Sequence, residues 1–212
     1  MIVEHFPVGP LACNCTIVGD EASGEAIVVD GGDDAGEIAG RLERLGLRAT
    51  LLVHSHAHFD HIGALAELRE RTSALGMLHP ADLPLYAALN EQARWLGLPP
   101  TALRTVAIDA ELNDGDVLRA GPIELRVHHT PGHTPGSTSF AFEVEGETRI
   151  LSGDTLFRGA VGRWDLGGTS LEDIVASIRE TIFAYGDDAI VIPGHGPATS
   201  VGAERATNPY LV

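Results

Sequence analysis

The sequence predicts an α+β sandwich: two mostly antiparallel sheets packed face to face, with helices on the outer faces. Three observations carry this. The apolar patterning runs in the order strands, helix, strand, helix, helix, strands, helix, strand, which suits layered sheets covered by helices. Hydrophobic residues make up 44% of 212 residues, enough for one large core and one domain over 1–212. The conspicuous polar clusters all fall at the ends of strand-like runs, so one rim of a sandwich can collect them.

Residues 3–8, 16–18 and 26–30 read as a strand meander, the last following a Ser23-Gly24 turn. Gly31-Gly32 ends it. Asp33 or Asp34 then caps a helix with Ile38, Leu42 and Leu45 on one face, closed by Gly46. A buried strand over 49–53 leads into His54-Ser55-His56-Ala57-His58-Phe59-Asp60-His61, and a helix runs from Ile62 to about Arg71. A short strand over 74–78 precedes a helix opened by Asp82, with Leu85, Leu89 and Leu96 on one face and an end at Gly97 and Pro99-Pro100. That helix, carrying Tyr86 and Trp95, fits either core packing or a lid. Strand pattern returns at 117–118 and alternates over 123–127. A turn-rich loop spans 128–137, and 139–144 with 148–151 form a hairpin about Glu145-Gly146-Glu147. A Gly-rich loop over 159–168 precedes a helix with Ser170 and Asp173 as its capping box and Ile174, Ile178 and Ile182 on its inner face. A last buried strand, 189–192, ends at Pro193-Gly194-His195-Gly196, and seventeen residues follow His195.

Net charge is −16, from 30 acidic against 14 basic residues. Such a balance repels phosphate backbones and anionic lipid, so no nucleic acid and no membrane partner is expected. An anionic substrate needs local positive charge, which divalent metals supply. No apolar stretch is long enough to span a bilayer and no basic-then-apolar leader opens the chain, so a cytoplasmic protein is expected. Cys13 and Cys15 are too close in sequence for good disulfide geometry and are read as strand packing rather than metal ligands.

The eight residues 54–61 hold four of the chain's ten histidines and an aspartate. Spaced His-x-His-x-Asp-His, they cannot all line one helix face, but on a tight loop they converge on one or two metal ions. His133, Asp154 and His195 end three other runs, each preceded by glycine (Gly132, Gly153, Gly194) that permits close approach of the backbone. Five imidazoles and two carboxylates suffice for two divalent ions, with zinc first and iron or manganese as alternatives. Two such ions about 3.5–4 Å apart share a hydroxide at neutral pH, and Asp154 is placed to bridge them. The sequence has no Gly-x-Ser-x-Gly elbow and no phosphate loop. His54 and His129 flank candidate ligands and are read as supporting residues, while His5, His79 and His128 are structural or exposed.

These motifs resemble the metallo-β-lactamase superfamily over essentially the whole chain. The resemblance implies an αββα sandwich of two mixed sheets with metals at one rim. Within it, 130–137, Gly153-Asp154-Thr155-Leu156-Phe157 and Pro193-Gly194-His195-Gly196-Pro197 are similar to the glyoxalase II (hydroxyacylglutathione hydrolase) branch. Gly162-Arg163-Trp164-Asp165-Leu166, Glu204-Arg205 and Asn208-Pro209 are similar to its short bacterial form. Carried over, His56, His58 and His133 hold one metal, Asp60, His61 and His195 the other, and Asp154 bridges. Asp60 also orients the metal-bound hydroxide as a catalytic residue. The implied reaction is hydrolysis of S-D-lactoylglutathione or a related acyl thioester, a small-molecule partner. The chain departs from longer glyoxalase II enzymes in having no helical domain after the last histidine, so Arg158 and Arg163 are the candidates for substrate carboxylate binding. The competing expectation is a persulfide dioxygenase with one iron on His56, His133 and Asp154. β-Lactamase, nuclease and non-catalytic metal-binding readings rank lower, and the oligomeric state is left open.

Overall fold

The computed structural model describes residues 1–95, 97, 103–165 and 169–212. The first sheet, in the order β1-β2-β3-β4-β5-β6, is built from Ile2–Val8, Cys13–Asp20, Glu25–Val29, Arg48–Val53, Leu75–Leu78 and Ala110–Glu111. The second has the order β14-β13-β10-β9-β8-β7. Its strands are β7 Val117–Ala120, β8 Ile123–His129, β9 Thr138–Val144, β10 Glu147–Gly153, β13 Ile190–Pro193 and β14 Thr199–Ser200. A small hairpin, β11 Leu156–Phe157 with β12 Ala160–Val161, stands apart. The helices are α1 Ala35–Arg44, α2 Phe59–Ile62, α3 Leu65–Thr72, α4 Leu83–Ala87, α5 Leu89–Trp95, α6 Leu171–Glu180 and α7 Val201–Thr207.

The sheets are mixed, as the resemblance implies, with antiparallel pairs in the majority. β3, β4, β5 and β6 pair in parallel, as do β10 and β13. The cause is connectivity: α1 and α3 are crossovers between neighbouring strands, and a helical crossover returns the chain in the same direction. Parallel strands covered on both sides read as continuous apolar runs, which carry no mark of direction.

Three buried clusters fill the three gaps between four layers. Ile17, Val28, Leu52 and Ala26 face α1 and α3 with Ile38, Leu42, Leu65 and Leu68. Val18, Ile27, Val29 and Val53 point the other way and meet Leu125, Val127, Phe140 and Phe142 of the second sheet. Ala141, Ile150 and Val191 face Ile174 and Ile178 of α6. Neighbours in one strand thus serve opposite cores, as the two-residue period requires.

Local chemistry sets most element ends. Glu145 and Gly146 both have positive φ, 54° and 82°, as a two-residue hairpin turn demands. Ser170 and Asp173 form a complete capping box on α6. At α1, by contrast, Asp34 does not cap with its side chain; the carboxylate accepts the Gly9 N–H at 2.9 Å instead. The expected helix after Ile62 begins earlier, with the single turn α2, and resumes as α3. The helix expected over 82–97 is broken at Ala88 into α4 and α5; Leu96, the Trp95 side chain and Pro99-Pro100 lie outside the described residues, as does the 166–168 part of the Gly-rich loop. Strands β6 and β14, the β11–β12 hairpin and helix α7 are additions to the sequence reading.

Gly132 marks where the histidine-bearing loop 130–137 packs on α6. Its φ is +144°, and a Cβ there would lie 2.4 Å from the Ile174 backbone. Gly132→Ala is expected to cost about 3 kcal/mol, against about 1 kcal/mol for Ser170→Ala at the α6 cap. Urea denaturation midpoints of the two variants check this order.

Candidate metal centre

Strand direction brings the polar clusters together. Because β10 and β13 run parallel, Asp154 and His195 emerge at the same end, tied by the Gly194 N–H to the Gly153 carbonyl at 2.8 Å. His56 and His58 lie on the loop leaving β4, and Asp60 and His61 on α2. The loop 130–137 adds His133 after β8, and the Thr138 N–H to the Ser55 carbonyl, 2.8 Å, joins β9 to the histidine loop. Gly194 has to be glycine for closeness: a Cβ there would sit 2.3 Å from Asp154 Oδ1 and 2.6 Å from His61 Cε1.

All seven side chains singled out as ligands meet at this rim. His58 Nδ1 lies 3.0 Å from His56 Nε2 and 2.9 Å from His133 Nε2. His61 Nε2 is 3.2 Å from His195 Nε2 and 3.4 Å from Asp154 Oδ1. Asp60 Oδ2 is 3.1 Å from His195 Nε2, and Asp154 Oδ2 is 3.6 Å from His133 Nε2. Asp154 therefore faces both histidine groups, one with each oxygen. The donor atoms of His56, His58 and His133 lie within 4.8 Å of one another, as do those of His56, His61 and Asp154.

The far nitrogens are committed elsewhere. His61 Nδ1 donates to Asp30 Oδ2 at 3.1 Å, His133 Nδ1 to the Arg163 carbonyl at 2.7 Å, and His195 Nδ1 to the Leu11 carbonyl at 3.1 Å. The Ser55 hydroxyl lies 3.0 Å from His56 Nδ1. In each neutral ring with a donating far nitrogen, the nitrogen facing the centre bears a lone pair. Converging lone pairs, together with a buried Asp154 Oδ1 that has no hydrogen-bond partner, are what a divalent cation satisfies. The donor set of imidazoles and carboxylates fits zinc, iron or manganese.

Electrostatics divide the cluster. Burial first, then the neighbouring imidazoles, holds His56 far below its ordinary value and brings His58 down to about 3. Burial also opposes a charge on His61. The Cys13 thiol beside it, 3.5 Å away, is itself pushed up to about 12 by burial and stays neutral, so the carboxylates Asp154, Asp60 and Asp30 raise His61. Burial likewise opposes a charge on His195, but the Asp60 hydrogen bond and Asp154 win and raise it. Against their own burial, Asp60 and Asp154 are held below the usual carboxylate range, by His61 first in each case.

Two acidic residues that the sequence reading did not place here support the centre. Asp30 ends β3 with φ +55°; its carboxylate accepts the Ser55 N–H and hydroxyl, both at 2.7 Å, besides His61. Asp82, read as a helix cap, makes no cap bond. It is fully buried and accepts the Ala57 N–H at 3.0 Å, the Thr134 hydroxyl at 2.8 Å and the Gly136 N–H at 2.7 Å, joining the two histidine loops. Burial raises its carboxyl above the ordinary value despite these donors. Gln92 joins the same support, accepting the Phe59 N–H and donating to the Ala57 carbonyl. A lone acid ending an apolar run was the available signal for Asp30; Asp82 carried no distinguishing one.

The remaining histidines and cysteines stay outside the cluster or beneath it. His54 donates to the His61 carbonyl at 2.9 Å. His129 reaches the Pro135 carbonyl and stacks on His79, and His128 contacts the Tyr185 hydroxyl. Cys13 and Cys15 are buried in the first sheet's core, but the Cys13 thiol also touches His61 and lies with the donor atoms of His61 and His195 within 4.8 Å of one another, which puts it beside the centre as well as in the strand packing.

Above the centre opens a cleft of about 500 Å³, with Leu11, Phe59, Leu85, Phe157 and Val161 as apolar walls and His58, Asp60, His133, Asp154 and His195 at its floor. Gln92 and Arg163 complete the lining. The Arg163 guanidinium pairs with Asp165 at 3.0 Å and is 65% exposed, hence free to exchange partners. Arg158 is exposed and is not among the described residues that line the cleft.

The description "Metallo-beta-lactamase superfamily" fits residues 8–195. The chain belongs to that superfamily. It is 34% identical to the hydroxyacylglutathione hydrolase GloC of Haemophilus influenzae, over 100% of this chain and 98% of the relative, which supports the glyoxalase II-like branch. It is 35% identical to the probable metallo-hydrolase YqgX of Bacillus subtilis, over 98% of this chain and 96% of the relative. Among solved structures, the BLEG-1 B3 metallo-β-lactamase superimposes with a TM-score of 0.88 at 35% identity, covering 99% of each chain. TTHA1623 in a di-iron-bound form gives 0.84 at 36%, covering 97% of this chain and 98% of that one. ETHE1 from Myxococcus xanthus gives 0.77 at 25%, covering 99% and 84%. At this level the superfamily member is a metal-dependent hydrolase, and its α+β sandwich of mixed sheets is the superfamily fold. No helix among the described residues is long and apolar enough to cross a membrane.

Two outcomes follow. The carboxylates favour the protonated forms of His61 and His195 in the metal-free protein, whereas burial favours the neutral forms of His56 and His58. Ligation requires the lone pair, so zinc uptake near pH 7 should release about one to two protons and the apparent affinity should rise with pH. Zinc titration of metal-free protein in weak buffer measures both; pH-independent uptake without proton release contradicts the charge assignment. Asp82→Ala leaves two buried N–H groups and a hydroxyl without their acceptor. It is expected to lower stability by about 3 kcal/mol and weaken zinc binding roughly 10–100-fold, read by chelator competition. Unaltered affinity means that the loops hold their place without it.

Proposed function

We propose that the protein is a glyoxalase II-type thioesterase that hydrolyses S-D-lactoylglutathione or a related acyl thioester to the acid and the free thiol. The observation that carries the reading is the gathering of seven donor side chains at one rim, five of them (His58, Asp60, His133, Asp154 and His195) on the floor of an apolar-walled cleft and His56 and His61 buried. The full-length likeness to GloC agrees with it. In this reading His56, His58 and His133 would hold one divalent ion, Asp60, His61 and His195 would hold a second, and Asp154 would serve both. Zinc is the first candidate, and iron, in view of the di-iron neighbour, or manganese the alternatives. Two divalent ions there supply Lewis acidity and a water acidified enough to act as a nucleophile near neutral pH.

The chain's own residues do the rest. Asp60 Oδ2, kept ionised by His61 and His195, accepts an O–H of the attacking water and orients it. Leu11, Phe59, Leu85, Phe157 and Val161 exclude bulk water around the acyl arm. Arg163, at the cleft wall, is the candidate for a substrate carboxylate, which would displace Asp165. Arg158 is retained only for a thiol arm that extends past the rim. The substrate is a small molecule, with no role for nucleic acid or a membrane, and the enzyme acts in the cytoplasm.

Persulfide oxidation on a single iron held by His56, His133 and Asp154 is the second reading, favoured by the likeness to ETHE1. One experiment separates the two: hydrolysis of S-D-lactoylglutathione by purified protein, with metal content measured on the same sample. Turnover with about two metals per chain is the expected result. No turnover, with one iron per chain and oxygen uptake on a persulfide, would overturn the thioesterase reading.

A further inference from the structure

The C-terminal helix α7 carries a buried carboxylate–amide pair that the chemistry at the centre does not use. Glu204 is 2% exposed and Asn208 fully buried. Glu204 Oε2 accepts the Gly159 N–H and an Asn208 Nδ2–H, both at 2.8 Å, and Oε1 accepts the Thr199 hydroxyl at 2.6 Å. Asn208 Nδ2 also donates to the Ala160 carbonyl at 3.1 Å. Gly159 lies in the turn of the β11–β12 hairpin and Ala160 opens β12; Phe157 and Val161 of the same hairpin wall the cleft. The other end of the same segment is held separately, by the His133 Nδ1–H on the Arg163 carbonyl. Beyond it, Trp164 meets Tyr210 of the C-terminal segment edge to face, with ring centroids 6.0 Å apart.

A hairpin of two two-residue strands outside either sheet has little rigidity of its own. Hydrogen bonds to a buried carboxylate are among the strong ones, and a side chain buried without its partners carries a full desolvation cost. Three donors converge on Glu204, and two of them belong to the hairpin turn and to the residue that grips it. We propose that Glu204 and Asn208 are positioning residues for the substrate: through the β11–β12 turn they fix the wall formed by Phe157 and Val161. They touch neither substrate nor the centre. Loss of either should loosen the wall and weaken substrate binding, while the inner end, pinned by His133, keeps the metal donors in place.

The proposal rests on the thioesterase reading for its kinetic arm only. Glu204→Ala and Asn208→Ala are expected to raise KM about tenfold with kcat nearly unchanged and metal content unaltered, the signature of lost uniform binding. Glu204→Gln should restore KM, since its amide oxygen still accepts the Gly159 N–H and the Thr199 hydroxyl can turn to accept from the amide nitrogen. Arg205→Ala is the control. It removes the bond from α7 to Asp187 and the cation–ring contact with Phe183 without touching the hairpin, so it should lower Tm and leave KM alone. Hydrogen exchange of the 156–163 segment should quicken in the two alanine variants and not in Arg205→Ala. In the unaltered protein it should show the same opening as 201–208, a measurement that needs no variant to fold. An unchanged KM in folded Glu204→Ala, an equal KM rise in Arg205→Ala, or independent exchange of the two segments overturns the proposal. If no thioester is hydrolysed at all, the thioesterase reading fails, and the exchange measurements still decide the tie.

Discussion

A hydrogen bond to the far nitrogen of His61, His133 and His195 is the constraint on which the geometry of the rim depends. A histidine ring is symmetric enough to turn or to present the wrong nitrogen. With Nδ1 of His61 on Asp30, of His133 on the Arg163 carbonyl and of His195 on the Leu11 carbonyl, each ring has one orientation, with Nε2 turned to the centre. These acceptors come from β3, the segment after β12 and the β1–β2 loop, so the orientation of three rings encodes the packing of both sheets and of the loops at their rim. Asp82 plays the matching part for the backbone, holding the loop of His56 and His58 to the loop of His133.

The same buried groups set the charge of the site. Asp30, Asp60 and Asp154 place three carboxylates around imidazoles that burial keeps neutral or that those carboxylates protonate. Gathering this many acceptors in a buried place is unfavourable without cations, either protons or metal ions. Exchange of protons for divalent ions couples metal binding to pH.

Support extends outward in layers from that floor. Gly132 lets the His133 loop touch α6, and the Glu204–Asn208 pair on α7 holds the hairpin that walls the cleft. The C-terminal segment is thus packed behind the hairpin that walls the cleft.

How much was legible follows from how local each signal is. The strand and helix periods, the hairpin turn at Glu145-Gly146, the capping box of Ser170 and Asp173, and the histidine-rich loop are legible in the chain, because each depends on neighbours a few residues apart. The donors His133, Asp154 and His195 could be picked out because they end apolar strands next to glycines. Only the tertiary structure shows which strand pairs run parallel, since side-chain alternation carries no information on strand direction. It alone revealed Asp30, Asp82 and Gln92, and the hold of Glu204 on a turn 45 residues away. An acidic side chain reads the same in sequence whether it caps a helix, pairs on the surface or accepts three buried donors. What distinguishes these roles is burial among partners distant in the chain, and those partners meet only when the layers pack.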